Sequence, residues 1–299
     1  MTRAICLIAN HGSGTNARDT EAIDRALSIF GDAAWMAKWS PGTQPMSDVV
    51  DEAISKGADL IVAAGGDGTA MALADTMVGR GVAMAVLPLG TFNYFTRGLG
   101  LSEEPDEAAA QIRDGQRHDI TVGDVNGQVF LNNASLGVYP NILRERESVY
   151  GRWGRFRLAA HWSVVKTFLR FRKPMRVTLT LEGTSEERRS ALIFVARSAY
   201  QLASFGVDGR VAIEHDEFAI LIARAETRMD LLRMTARLAL SKPLRGRDYE
   251  LLTARSFDIE TAGRTLIAYD GEKDRASGPF RFRMRPEPLT IIVPAELTQ

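Results

Sequence analysis

The sequence has one cysteine, Cys6, and four histidines, His11, His118, His161 and His215, in 299 residues. A single thiol forms no disulfide within the chain, and the histidines share no ligand spacing with Cys6 or with carboxylates, so neither a disulfide scaffold nor a zinc site is expected. Cys6 stands inside the apolar run AICLIA, which suits a buried strand thiol better than a nucleophile. Net charge is also lacking: 37 Lys and Arg balance 37 Asp and Glu, leaving no whole-chain field to attract nucleic acid. The first apolar run meets polar Asn10 after about five residues, too soon for a signal peptide, and no run nears the roughly 20 apolar residues that span a bilayer. The expectation is a cytoplasmic protein that, at 45% hydrophobic and 25% charged residues, buries cores of its own.

What is present begins with alternation. From residue 4 to about 115, short apolar runs such as AICLIAN, DLIVAAG and VAMAVLP alternate with segments of helical period. That order predicts βαβ units and a parallel sheet. Ile23, Ala26, Leu27 and Phe30 make one apolar helical stripe, and DLIVAA and VAMAVL are apolar throughout, as strands covered on both faces must be. After residue 118 the texture turns to strand and turn: DVNGQVF centres the hairpin dipeptide Asn126-Gly127, and RVTLTLEGTSEERRSALIFVA alternates across a polar turn. A helix is expected around 151–171 and another around 228–240. The fold class expected is α/β plus β, with a parallel α/β domain over 1–118 and a mostly antiparallel β-sandwich domain over 119–299, whose last residues pack back on the first.

Chemistry concentrates in the loops that follow the apolar strands. AAGGDGTA sets Gly65, Gly66 and Gly68 around Asp67, after a strand and before a helix. Glycine lets a ligand approach the backbone, and a helix N-terminus favours phosphate. The pattern is neither the P-loop nor the dinucleotide fingerprint. The loop LPLGTFN follows the next strand with Gly90, Thr91 and Asn93, and the first strand ends in ANHGSGTN, with Asn10 and Gly14. Loops at the carboxyl ends of neighbouring parallel strands share one crevice, which points to a nucleotide.

GGDGT followed by PLGTFNYFTRGLG, with FLNNASLGVYP and the late AYDGE, resembles the diacylglycerol kinase catalytic family, which includes bacterial lipid kinases and sphingosine and ceramide kinases. The resemblance implies an N-terminal α/β domain like that of NAD kinases, a C-terminal β domain, ATP as phosphate donor and a lipid hydroxyl as acceptor, whether diacylglycerol-like, phosphatidylglycerol or a sphingoid base. Carried over, it assigns Asn10, Gly14, Gly65, Gly66, Asp67, Gly68, Thr69, Gly90, Thr91 and Asn93 to the nucleotide, with Ser40 as a further contact. Asp270 becomes the first choice for the base that takes the acceptor's proton, and Glu272 its rival. Mg2+ accompanies ATP. A structural magnesium is implied at AIEHDEFAI, through Asp216 and the carbonyls of Ile213 and Phe218, although Glu217 stands where the family has glycine. Asn93-Tyr94 replaces the Asn-Asp usual in bacterial diacylglycerol kinases. Two alternatives follow: an NAD kinase, which shares GGDGT, and a homologue that binds nucleotide or lipid with impaired catalysis.

Residues 148–173 carry seven basic and no acidic side chains. On a helix, Arg152, Arg155, Lys166, Arg170 and Lys173 share one face beside Leu158, Trp162, Val165 and Leu169, a pattern suited to peripheral contact with an anionic membrane at its inner face. A solvated face of a docked helix is the alternative. The sequence leaves oligomeric state open, a dimer included.

Overall fold

The computed structural model describes residues 3–10, 21–90, 92–138 and 173–295. Gly14, Thr91 and all of the basic 148–173 segment except Lys173 lie outside the described residues. The chain divides into two compact units, Met1–Val122 with Arg285–Gln299, and Gly123–Met284.

The first unit holds one six-stranded sheet in the order β2-β1-β3-β4-β18-β5. Its strands are β1 (Ile5–Asn10), β2 (Ala34–Trp39), β3 (Leu60–Gly65), β4 (Ala83–Pro88), β5 (Gln116–Ile120) and β18 (Leu289–Val293). All neighbours are parallel except β18 and β5. The run LTIIVP enters this sheet beside β4, where Ile291 pairs with Met84. Alternate strand residues explain the unbroken apolar runs. Ile5, Leu7, Ala9, Leu60, Val62, Ala64, Ala83, Ala85 and Leu87 form one core with α1 (Ala22–Phe30) and α5 (Pro105–Asp114). The opposite residues, Cys6, Ile8, Ile61, Ala63, Met84 and Val86, are equally buried, on the side of α2 (Met46–Ser55) and α3 (Asp67–Met77). Cys6 is fully enclosed, and burial pushes its thiol up to about 11, which leaves it protonated and inert at neutral pH.

The order β2-β1-β3-β4 places α1 on one face and α2 and α3 on the other, so the chain reverses direction across the sheet between β1 and β3. Open α/β sheets bind ligands at that point, outside the carboxyl ends of the strands. Those ends carry Asn10, Gly65 and Pro88, and α4 (Tyr94–Gly98) follows directly after β4.

The second unit is an antiparallel sandwich. One sheet runs β10-β9-β14-β17-β6-β7 and the other β13-β12-β11-β8-β15-β16. The first comprises β6 (Gly123–Val125), β7 (Gln128–Phe130), β9 (Met175–Leu181), β10 (Thr184–Ser190), β14 (Ser256–Thr261) and β17 (Phe280–Met284). The second comprises β8 (Asn133–Gly137), β11 (Leu192–Ala196), β12 (Phe218–Ala223), β13 (Tyr249–Ala254), β15 (Thr265–Tyr269) and β16 (Glu272–Ala276). Period-two positions of both sheets face one core: Val177 and Leu179, Ile193 and Val195, Phe218, Ile220 and Ile222, Phe280 and Phe282. Phe257 stacks on Phe282 at 4.6 Å between ring centroids, and Phe218 meets both rings edge-on. Asn126 and Gly127, both at positive φ, turn β6 into β7, as their dipeptide predicts.

Three helices cover parts of the second sheet's outer surface: α6 (Ala199–Ser204), α7 (Arg210–Glu214) and α8 (Arg228–Ala239). The α8 helix begins in a reciprocal capping box between Thr227 and Asp230, a device worth about 1 kcal/mol. No described helix is long and apolar enough to cross a membrane, which leaves β-barrels aside.

Candidate functional site

In the first unit, β1, β3 and β4 deliver their loops to one sheet edge. Gly66 caps α3, and its carbonyl accepts the N–H groups of Thr69 and Ala70. The first amides of such a helix have no carbonyl behind them, so a phosphate can take them. The glycines answer first to the protein itself. A Cβ on Gly66 would meet the Gly90 Cα at 3.1 Å, and one on Gly90 would meet the Gly66 Cα at 2.5 Å. Gly65 is just as tightly held, because a Cβ there would lie 2.5 Å from the Thr69 Oγ1. The main chain of GGDGT and that of PLG are thus in direct contact, and Leu89 N donates to Gly65 O at 3.1 Å.

Polar side chains of these loops are engaged inside the protein. Asn10 Nδ2 donates to Thr69 Oγ1 at 3.4 Å, tying the end of β1 to the first turn of α3. Asn93, in the left-handed region at φ 48, accepts from Gly90 N at 3.0 Å and donates to the carbonyls of Pro88 and Gly90 at 3.2 Å each. Asn93 is therefore the clasp that shapes the second loop. Ser40 is exposed one residue beyond β2, at the same sheet edge, where Trp39 pairs with Asn10.

Asp67 joins the two loops. Its Oδ1 accepts from Phe95 N at 3.4 Å, at the start of α4. Burial pushes its carboxyl above the ordinary carboxylate range, while the main-chain N–H groups of Phe95, Asn93 and Tyr94 and its own pull the other way. Asp67 is thus a half-buried acid in the first turn of α3 that burial makes harder to ionise and the neighbouring amides make easier. Next to it Phe92 and Tyr94 stack, with centroids 5.7 Å apart and rings 2° from parallel. A cavity of about 510 Å3 lined by Gly79, Gly81, Arg117, His118, Asp119, Pro288 and Thr290 lies by the amino-terminal end of β4. It is at the wrong end of the parallel strands for the crevice, so the loops at the carboxyl ends are the candidate site.

In the second unit, Asp270 and Gly271 form the two-residue turn from β15 to β16, at φ 47 and 91. Asp270 is buried, and its carboxylate accepts three main-chain N–H groups: Leu131 at 2.5 Å, Asn132 at 2.8 Å and Asn133 at 3.0 Å. Asp270 N in turn donates to Asn133 O at 2.9 Å. Glu272, two residues on, is exposed at the start of β16. The sequence motifs point to no role for Asn132 and Asn133, which this turn holds, or for Gln201; Asn133 Nδ2 donates to Gln201 Oε1 at 2.9 Å, and the Oδ1 atoms of both asparagines are buried with no hydrogen-bond partner among the described residues. The signal for them was a polar Asn-Asn pair inside the apolar run FLNNAS.

The turn expected to hold a structural magnesium has a different occupant. Ile213 O and Glu217 O accept from Arg197 Nη1 at 3.4 and 3.3 Å, and Asp216 Oδ1 lies 3.5 Å from Arg197 Nη2. Phe218, expected to supply the second carbonyl, is fully buried with its ring in the sandwich core. Arg255 reaches the other oxygen of Asp216 at 3.8 Å. No group of three His, Cys, Asp or Glu suited to a metal occurs among the described residues. These donors fit a guanidinium and not a divalent ion.

The Asp67 shift has a definite sign in stability. A carboxyl whose folded pKa is raised favours the folded state when protonated, and that contribution is lost as pH rises through the raised value. Asp67→Asn keeps an acceptor for Phe95 N without the charge. Its melting temperature is expected to equal or exceed that of the wild type near pH 7.5, with the difference shrinking as pH falls towards 4. A deficit at pH 7.5 that vanishes in acid would reverse the assignment.

Residues 4–125 match the family described as the diacylglycerol kinase catalytic domain, and residues 145–293 match the YegS C-terminal NAD kinase beta sandwich-like domain. A protein of Pseudomonas aeruginosa named "Probable lipid kinase YegS-like" is 37% identical over 140 residues, which cover 46% of this chain and 45% of that one. The diacylglycerol kinase of Bacillus subtilis is 35% identical over 120 residues, 39% of this chain and 35% of its own. The chain thus matches less than half the length of these curated relatives. A solved structure of a diacylglycerol kinase from Bacillus anthracis superposes with a TM-score of 0.68 at 18% identity over 98% of both chains, which is agreement of fold. The first matched stretch is thus similar to the diacylglycerol kinase catalytic domain and the second to the YegS C-terminal domain, and together they account for most of the chain.

Proposed function

We propose that this protein transfers the γ-phosphate of ATP to the hydroxyl of a lipid. The observation that carries the reading is the pairing of GGDGT and PLG main chains at the carboxyl edge of β1, β3 and β4, with the N-terminus of α3 beside them. The crevice residues Asn10, Gly65, Gly66, Asp67, Gly68, Thr69, Gly90 and Asn93 then serve largely through backbone: their side chains fix the loops, and amides receive the phosphates. Ser40 lies at the edge of that surface; Gly14 and Thr91, which the resemblance adds, lie outside the described residues. Mg2+ would accompany ATP and offset the charge of its phosphates, and Asp67 is the carboxylate of this crevice that would help to hold it. The names of the relatives support a lipid acceptor, and the exposed edge of the Phe92–Tyr94 stack suits one.

For the base, the chemistry favours Glu272 over Asp270. Proton transfer needs a carboxylate with a free face towards the acceptor hydroxyl. Asp270 already accepts three main-chain N–H groups and holds the 131–133 segment in place, whereas Glu272 is exposed. Asp270 accordingly positions the turn that presents Glu272.

Two tests follow. Transfer from radiolabelled ATP is screened against diacylglycerol, phosphatidylglycerol, a sphingoid base and NAD; Glu272→Gln is expected to lower turnover by about 10²–10⁴-fold with ATP binding intact. Asp270→Asn, which turns an amide donor towards main-chain donors, is expected to cost about 1–3 kcal/mol of stability. Normal turnover in Glu272→Gln, or labelling of NAD alone, refutes this reading. The basic 148–173 segment is assigned to peripheral contact with an anionic leaflet by its composition. Neutralising Arg155, Lys166 and Arg170 should then weaken binding to phosphatidylglycerol vesicles, and unchanged binding rejects the contact.

A further inference from the structure

We propose that Arg197 is a built-in cation that replaces a structural divalent metal in the second unit, so that the turn from α7 into β12 folds without metal. The turn converges on a positive charge from three sides. Two main-chain carbonyls, those of Ile213 and Glu217, and the carboxylate of Asp216 all face the Arg197 guanidinium, whose side chain is only 7% exposed. Asp216 sits at φ 56, and its N–H donates to Ile213 O at 3.1 Å, which closes the turn around that charge. Such an arrangement of carbonyls and one acid is what a hard cation requires, but Mg2+ and Ca2+ take oxygens at about 2.0–2.6 Å. Here the oxygens stand 3.3–3.5 Å from guanidinium nitrogens, the spacing of N–H donation at its long end.

The tethered cation does more than fill the turn. Arg197 follows directly after β11, and its main-chain N–H donates to Asn132 O at 2.8 Å. The same segment is held from its other side by the Asp270 carboxylate. One residue therefore links the 213–217 turn to the segment that the Asp270 turn also holds. Arg255 backs Asp216 from the solvent side, so the single acid faces two arginines and has no charge left to attract a dication. Replacing the acid's metal by arginine also accounts for Glu217 at a position where the family carries glycine: the turn is shaped by Arg197 donation to the Glu217 carbonyl, and needs no close approach of backbone to an ion.

The test needs neither substrate nor turnover. The full chain is stripped with EDTA, and its thermal unfolding is followed without nucleotide as MgCl2 or CaCl2 is added to millimolar levels. A metal bound only by the folded state raises the midpoint by mass action. The wild-type midpoint is expected to stay put. Arg197→Ala, with carbonyls and carboxylate left facing each other, is expected to melt lower and to recover part of the loss in Ca2+ or Mg2+. A wild-type rise of more than about 3 °C, which is on the order of 1 kcal/mol for a chain of this size, overturns the proposal. Should Arg197→Ala not fold, Arg197→Lys retains a charge and is expected to fold with no metal response; a rise of more than about 3 °C in that variant likewise overturns the proposal.

Discussion

The candidate site depends on the contact between Gly66 and Gly90. Two main chains meet where any side chain at Gly90 would lie 2.5 Å from its neighbour's Cα, and that approach fixes everything polar around it. It sets the N-terminus of α3 against the loop after β4, and it lets Asn93 reach back to Pro88 and Gly90. The same approach puts Asp67 among the amides of residues 93–95 and takes it partly out of water, which is why its carboxyl is pushed up. Glycine here is first a packing requirement; the accessible backbone that a phosphate needs is its consequence.

The second unit follows a related rule with side chains in place of glycines. Its sandwich core is ordinary alternation, and Phe218, Phe257 and Phe282 fill it. What distinguishes the unit lies at the ends of the strands, where charged groups hold main chain: Asp270 gathers three N–H groups, and Arg197 gathers two carbonyls. A buried charge is tolerable only when so paired, and removing a partner costs more than the pair contributes. The Asp270 carboxylate and the Arg197 main-chain N–H both hold residues 131–133, while the Arg197 guanidinium holds the 213–217 turn.

Much of this was legible in the sequence because it is local. Apolar runs marked the strands of the first unit's sheet, Asn126-Gly127 marked the β6–β7 hairpin of the second unit, and GGDGT with PLGTFN marked the crevice. What could not be read depends on partners distant in the chain. LTIIVP has the texture of any buried strand, and its exact place between β4 and β5 rests on pairing with residues far away in the chain. Asp270 looks like a base until its bonds to residues more than 130 positions away are known. Arg197 has no local signal at all, since the carbonyls and carboxylate that bind it lie 16–20 residues further along. Asn93 and Thr69 were recognised as site residues, but the direction of their side chains, into the protein, is a tertiary fact.

Gly90→Ala tests the central constraint most directly, with ATP binding measured by calorimetry and folding by circular dichroism. The added methyl must push the two loops apart, so a folded variant that has lost ATP binding is the outcome predicted. A folded variant that binds ATP with wild-type affinity would contradict it, because the phosphate site would then not depend on the contact between the two loops.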